Sequence, residues 1–467
     1  MLTKIIKMCG SSVIRASGFS CLRIRTEKMA TNENQSIHTE NHPSVSSVVK
    51  QLAKTMGIER GYRRLPKTRD HLQKLIPTKR EQLPPRTMRD SYTVAAIPLA
   101  TNDDLQELMV SITGFVRLNK LLEDMDIFAV AVAQNYIKNP LVGPKDHSPY
   151  TIVTALVNKI DFSDYHPKVN SDIRISGHVT WVGTSSIEVL VWLDQKEGGA
   201  YKRITKALFL LVVRDAINSK AALINPLKTT TPQEEELAKA GEIRKKLRIK
   251  LKMQDLKRSV PSAEEQKLIH DKFQKTIVEA EISLNQIKLP PGSIWMEECE
   301  FSNIILIHPE NRNLHNTVFG GFLMRKAADL SYSLVRIFGR RRPLLRCIDD
   351  INFSKPVLMN MILIMSAYIV YTEGVYVQVI VYAQTYDILT NTKTTTNSFH
   401  FTYEVDELVK EVFPKTYDET MMYIDGVRHF RQFLQSNQGD HPFDFEPINF
   451  GIDEQAKINT NPPQSKL

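Results

Sequence analysis

Cysteine is scarce in this 467-residue chain, which has only Cys9, Cys21, Cys299 and Cys347. None forms a Cys-x-x-Cys pair, and the spacings fit neither a zinc site nor a disulfide framework. A reducing compartment follows. Long hydrophobic runs are missing as well. Met361–Tyr371 is mostly apolar but too short to span a membrane as a helix. No Gly-x-Ser-x-Gly occurs, which removes the nucleophile-elbow route of the α/β-hydrolases. Acidic residues are absent from positions 1–26, where Lys4, Lys7, Arg15, Arg23 and Arg25 stand among Ser11, Ser12, Ser17 and Ser20. That composition predicts a mitochondrial transit peptide over 1–30, against the alternative of a disordered basic tail.

The rest of the composition is that of a globular protein, with 42% apolar residues. The net charge of +9 is modest for the length. It permits anionic ligands without indicating nucleic acid. The length suggests two or three domains.

An internal repeat with a period of about 190 residues organises the chain. Lys159-Ile160-Asp161-Phe162 matches Asp350-Ile351-Asn352-Phe353. Ser186-Ile187-Glu188-Val189 matches Tyr376-Val377-Gln378-Val379, and Ala207-Leu208-Phe209-Leu210 matches Asn397-Ser398-Phe399-His400. Each copy reads as one helix (about 116–136 and 320–338) followed by four strands. The strands fall at roughly 150–162, 172–182, 185–195 and 204–214, then at roughly 344–353, 361–371, 375–387 and 393–404, by alternating apolar residues. Gly183 and Gly374 sit at strand turns. Each copy closes with a breaker and a helix, after Pro226 and after Pro414. The basic run Arg244, Lys245, Lys246, Arg248, Lys250 and Lys252 reads as a solvated linker face, with a further helix around 262–280.

A helix followed by antiparallel strands buries itself most economically inside a curved sheet, and two such units can pair their edges. The expected fold class is therefore α+β: tandem units, each a long central helix wrapped by a curved antiparallel sheet. The expected boundaries are 31–87 flexible, 88–238 first unit, 239–290 basic and helical linker, 291–435 second unit and 436–467 flexible tail.

The sequence resembles the double-hotdog acyl-CoA thioesterases of the mitochondrial acyl-CoA thioesterase 9 group from about residue 88 to 435. The stretches that carry the resemblance are Ser176–Gly183, His308–Asn313, Gly320–Ala327, Asp349–Val357 and Val412–Tyr417. It implies hydrolysis of acyl-CoA to fatty acid and CoA in mitochondria, matrix or inner-membrane-associated, with no metal or redox cofactor. It also implies a homo-oligomer of double-hotdog units, with no nucleic acid partner and no integral membrane span.

Thioester hydrolysis needs an activated water, a stabilised oxyanion and a held substrate. Gly320 and Gly321 open a helix, whose first N–H groups lack partners and carry the positive end of the helix dipole. They are the oxyanion candidates. Asp329 on that helix and Asn316 before it are candidates for activating or positioning water. The alternatives are a helix-face ion pair and a turn residue. Thr317 occupies the slot where related thioesterases place Asp or Asn, and is a substrate-binding candidate. Copy one has Arg117-Leu118-Asn119-Lys120 in place of the glycines, followed by the acidic cluster Glu123, Asp124 and Asp126. Asp124 and then Glu123 are favoured there, against an ordinary surface cluster. His178, Asp161, Asp350 and Asn352 are supporting candidates. Arg340, Arg341 and Arg342 form a compact basic cluster suited to the phosphates of CoA, or an ordinary solvated loop. The competing functions are a non-catalytic acyl-CoA-binding regulator and a hotdog hydratase using His315.

Overall fold

The computed structural model describes residues 42–58, 68–253, 256, 259–277, 287–311, 313, 317–353, 355–359, 361–436, 445–448 and 450, with only the backbone of Lys252 and Asp350. In chain order, the first half runs α1 (Val45–Met56), β1 (Thr93–Ile97), α2 (Asp103–Met109), α3 (Leu118–Tyr136), β2 (Thr151–Phe162), β3 (Ile173–Val182), β4 (Ser186–Glu197) and β5 (Ala200–Arg214). Then α4 (Pro232–Met253) and α5 (Ala263–Gln274) join it to the second half. That half runs β6 (Ser293–Trp295), β7 (Glu300–Leu306), α6 (Gly320–Gly339), β8 (Leu344–Phe353), β9 (Ile362–Glu373), β10 (Tyr376–Asp387), β11 (Thr392–Glu404), β12 (Glu411–Phe413) and α7 (Tyr417–Ser436).

Ten strands form one antiparallel sheet in the order β1-β3-β4-β5-β2-β8-β11-β10-β9-β7. Each half repeats the same order outward from the central β2–β8 pair. The register there pairs Leu156 with Asn352 and Asp161 with Cys347. Cys347 lies 191 positions after Leu156, and Asn352 lies 191 after Asp161, so the repeat offset maps the pairing onto itself. The two copies are thus related by a local two-fold axis at the seam. Joining them removes one exposed edge from each.

One face of the sheet holds α3 against β2–β5 and α6 against β7 and β9–β11. The helices pack there because their apolar residues recur at helical spacing: Leu122, Met125, Ala129 and Val132 on α3, and Met324, Ala327, Leu334 and Val335 on α6. Alternation in β10 sends Val377, Val379 and Val381 into the core. The opposite face is covered by α4, which packs on β3, and α7, which packs on β9–β11. Gly374, at φ +61°, turns β9 into β10.

Several expectations change. Residues 42–58 and 68–87 are not a loose segment: Val45, Met56, Leu72 and Leu83 are buried, and Arg69 donates to the Ser148 carbonyl. A strand precedes the central helix in each half, β1 and β7. These strands are short or exposed and carry a weak alternation signal. The first boundary at 238 falls inside α4. Arg244 is not on a solvated face; it is fully buried against Glu188, which also binds Arg248 at 3.2 Å. Beyond α7, Phe445 and Phe450 pack on the cluster of Tyr92, Leu190, Trp192 and Leu208. The expected transit peptide lies outside the described residues. Among the described residues no helix is long and apolar enough to cross a membrane.

Candidate active site

The two central helices cross at Gly320 and Gly321. A Cβ on Gly321 would stand 2.8 Å from Glu123 Cα, and one on Gly320 would stand 3.0 Å from the Phe353 ring and 3.2 Å from Asp126 Oδ2. At Gly321, where the obstacle is backbone, only glycine admits this approach. It brings the first turn of α6 onto the side chain of Asp126. Asp126 Oδ2 accepts the Gly321 N–H at 2.7 Å, and Oδ1 accepts the Thr154 hydroxyl at 2.7 Å. The residue is only 4% exposed. Burial raises its proton affinity, and the bonds from Thr154 and Gly321 oppose that rise without cancelling it. A carboxylate so placed is oriented on both oxygens by groups from two other elements, β2 and α6. It also stands at the positive end of a helix dipole.

The sequence candidates fall around this point unevenly. Gly320 and Gly321 form the crossing, and the Gly321 N–H is held by Asp126. Asp124 is half-buried on another side of α3, with its carboxyl pushed up to about 7, mainly by burial and against the pull of Lys120. Glu123 bridges Lys120 at 2.6 Å and Arg325 at 2.8 Å, tying α3 to α6. Asp329 is exposed and accepts from Asn119 Nδ2 at 3.0 Å. It sits eight residues beyond Gly321, about 12 Å along the helix, so it does not face the α6 N-terminus. The Thr317 N–H donates to Asn313 Oδ1 at 3.2 Å, just before that N-terminus. Asn316 and His315 lie outside the described residues.

Arg340, Arg341 and Arg342 follow the other end of α6. A helix of this length puts them about 30 Å from Gly321. Arg341 pairs with Glu407, and Arg342 lies 5.6 Å from the Phe115 ring. The proximity to the site expected of this cluster does not hold. His178 is buried on the opposite face of the sheet, beside Trp192 and Phe450, with its pKa pushed down to about 4 by burial. Asp161 pairs with Lys159 at 2.6 Å. Asn352 is exposed and uses its carbonyl to accept from Asn397. None of these three touches Asp126. The side chain of Asp350 lies outside the described residues.

The local two-fold axis creates a second crossing position, and it is not equivalent. Counting from the helix starts puts Ala328 where Asp126 stands and Asn119 where Gly321 stands. The sheet offset puts Leu345 where Thr154 stands. None of these three matched positions carries a carboxylate, a hydroxyl or a glycine; the neighbouring Asp329 instead accepts from Asn119 Nδ2 at this crossing. Asp126 itself was visible as one of three acids in a cluster. The signal that separates it is its phase: it falls in the apolar stripe between Leu122 and Ala129, where an acid is costly to bury without partners.

Among known proteins, mitochondrial acyl-coenzyme A thioesterase 9 of Bos taurus is 37% identical over 404 residues, covering 86% of this chain and 91% of the relative. The chain belongs to the mitochondrial acyl-CoA thioesterase family. The Homo sapiens thioesterase 9 is 39% identical over 77% of the chain, and the Mus musculus thioesterase 10 is 37% identical over 78%. No family model matches. Among solved structures, an acyl-CoA hydrolase from Staphylococcus aureus covers 31% of the chain at 22% identity, with a TM-score of 0.30. An oleoyl thioesterase (putative) from Lactobacillus plantarum covers 67% of the chain and 96% of its own length at 9% identity, with a TM-score of 0.40. The strand order and the two central helices of this chain display the tandem hotdog arrangement.

Proposed function

We propose that this thioesterase hydrolyses acyl-CoA to a free fatty acid and CoA in mitochondria, at one site centred on Asp126. The observation that carries the reading is the buried Asp126 carboxylate, held between the Gly321 N–H and the Thr154 hydroxyl at the start of α6. The thioester lies across the first turn of α6, beside Gly320 and Thr317. Water attacks the carbonyl carbon, and Asp126 takes its proton. A raised proton affinity suits that role near neutral pH. The charge that develops on the carbonyl oxygen is met by the N-terminal end of α6. Collapse of the intermediate breaks the C–S bond, and the thiolate leaves with the proton from Asp126. Thr154 and Gly321 keep the carboxylate aimed throughout.

A homo-oligomer of double-hotdog units accompanies this reading. Its support is the exposed apolar edge at β7, where Phe301, Ile304 and Leu306 face outward. Release of free thiol from acetyl-, propionyl- and palmitoyl-CoA tests the activity. Turnover with at least one of them is expected. Absence of release with every chain length, together with retained CoA binding, would instead favour a non-catalytic acyl-CoA-binding regulator.

A further inference from the structure

The face of the sheet away from the thioester site carries a second group of reactive side chains. His400 lies on β11, and Asp425 and His429 lie one turn apart on α7. The i,i+4 spacing puts Asp425 and His429 on one side of α7. Strand alternation turns His400 toward them, while Phe399 and Phe401 enter the core on the other side. His400 Nε2 lies 2.9 Å from Asp425 Oδ2, and His429 Nε2 lies 3.9 Å from Asp425 Oδ1. One ligating atom from each of the three residues falls within 4.8 Å of the others. The two imidazoles are 8% and 6% exposed and stack with centroids 3.7 Å apart. His400 Nδ1 is buried with no hydrogen-bond partner among the described residues.

Two further features surround this trio. All three residues line a cavity of about 1300 Å³, bounded by α4, α5 and α7 and floored by strands on both sides of the β2–β8 seam. Asp349 Oδ2 lies 3.9 Å from His429 Nδ1, on the far side of the ring from Asp425. Arg428, the nearest cation on α7, is held by Glu265 at 2.6 and 2.9 Å, so its charge is compensated.

Two imidazoles and one carboxylate are a donor set for a borderline divalent ion. A ligating histidine commonly gives its other ring nitrogen to a second carboxylate, which fixes its orientation, and Asp349 stands in that position toward His429. The cavity leaves room for water at the remaining coordination positions. We propose that His400, Asp425 and His429 bind a single divalent transition-metal ion on the outer face of the sheet, in a site separate from the thioester chemistry. Binding requires the stacked rings to turn so that their lone pairs converge about 2.0–2.1 Å from the ion. The ion then ties α7 to β11 and forms part of the cavity wall.

The test uses the full chain without a histidine tag, stripped of metal and titrated with Zn²⁺ by calorimetry and with Co²⁺ by visible absorption. One ion per chain is expected. His400→Ala and His429→Ala should each weaken binding by more than 100-fold and abolish the Co²⁺ bands. Asp349→Asn should weaken binding about 10-fold and keep the bands. Zn²⁺ should raise the melting temperature of the native chain and not that of the alanine variants. If the alanine variants misfold, the near-isosteric Asp425→Asn should show the same loss. No saturable binding at one ion per chain would overturn the proposal. So would unchanged affinity in the histidine variants or in Asp425→Asn.

Discussion

Asp126 combines deep burial with two oriented donors, and its chemistry follows from that balance. Its proton affinity is raised by burial, so the ionised base forms at a higher pH than an ordinary aspartate allows. The rate should therefore rise with pH on the acid side, with a midpoint above the usual carboxylate range of about 4. A kcat/KM profile against pH checks this, and the limb should vanish in Asp126→Asn. Gly321 is equally constrained. A methyl there meets the backbone of α3 at Glu123, so Gly321→Ala should cost about 1–3 kcal/mol and lower turnover by moving Asp126. Thermal melts and steady-state kinetics read both effects. Asp124 bears on stability instead. Its folded-state pKa of about 7 lies above the unfolded value of about 3.9. Protonation therefore favours the folded chain. That contribution is complete below about pH 4 and is lost as pH rises through 7. Asp124→Asn should raise the melting temperature at pH 8 and leave it nearly unchanged at pH 4.

At the scale of elements, α4 is pinned by the Arg244–Glu188 pair, which has no exposure on either side chain. Removing the arginine leaves a buried carboxylate with Arg248 as its remaining charged partner. Arg244→Leu should destabilise the fold by about 3–5 kcal/mol, measured by denaturant unfolding. The repeated strands were legible in the sequence because alternation survives in β4 and β10, and the helix pair because Gly320–Gly321 marks the start of α6. The buried role of Arg244 was not legible, since a basic run on a helix looks the same whether one member faces solvent or a glutamate on the sheet. Asp126 was legible only as a member of a cluster. Choosing among three neighbouring acids requires knowing which side of α3 meets α6, and that is set by packing across the two copies. The partner of Asp329 was hidden for the same reason: its place on the helix with the glycines does not show that it meets Asn119 of α3.

At the scale of the whole molecule, the two crossings have diverged: one holds Asp126 on the Gly321 N–H, and the other pairs Asp329 with Asn119. Ala328, Leu345 and Asn119 occupy the positions matching Asp126, Thr154 and Gly321. In the proposed mechanism the chain works as a single-site unit in which copy two supplies the helix N-terminus and copy one supplies the carboxylate. Neither copy holds a complete site alone. The exposed apolar residues of β7 predict assembly beyond one chain. Light scattering should give a mass that is a multiple of 53.4 kDa, and Ile304→Lys should lower it. The most direct test of the account is thiol release by Asp126→Asn and Asp329→Ala measured side by side with the native chain. The account predicts that Asp126→Asn loses at least about 100-fold in kcat while remaining folded, the scale of a removed general base, and that Asp329→Ala stays within about threefold of native. Native-like turnover in Asp126→Asn, or collapse of turnover in a folded Asp329→Ala, would contradict it.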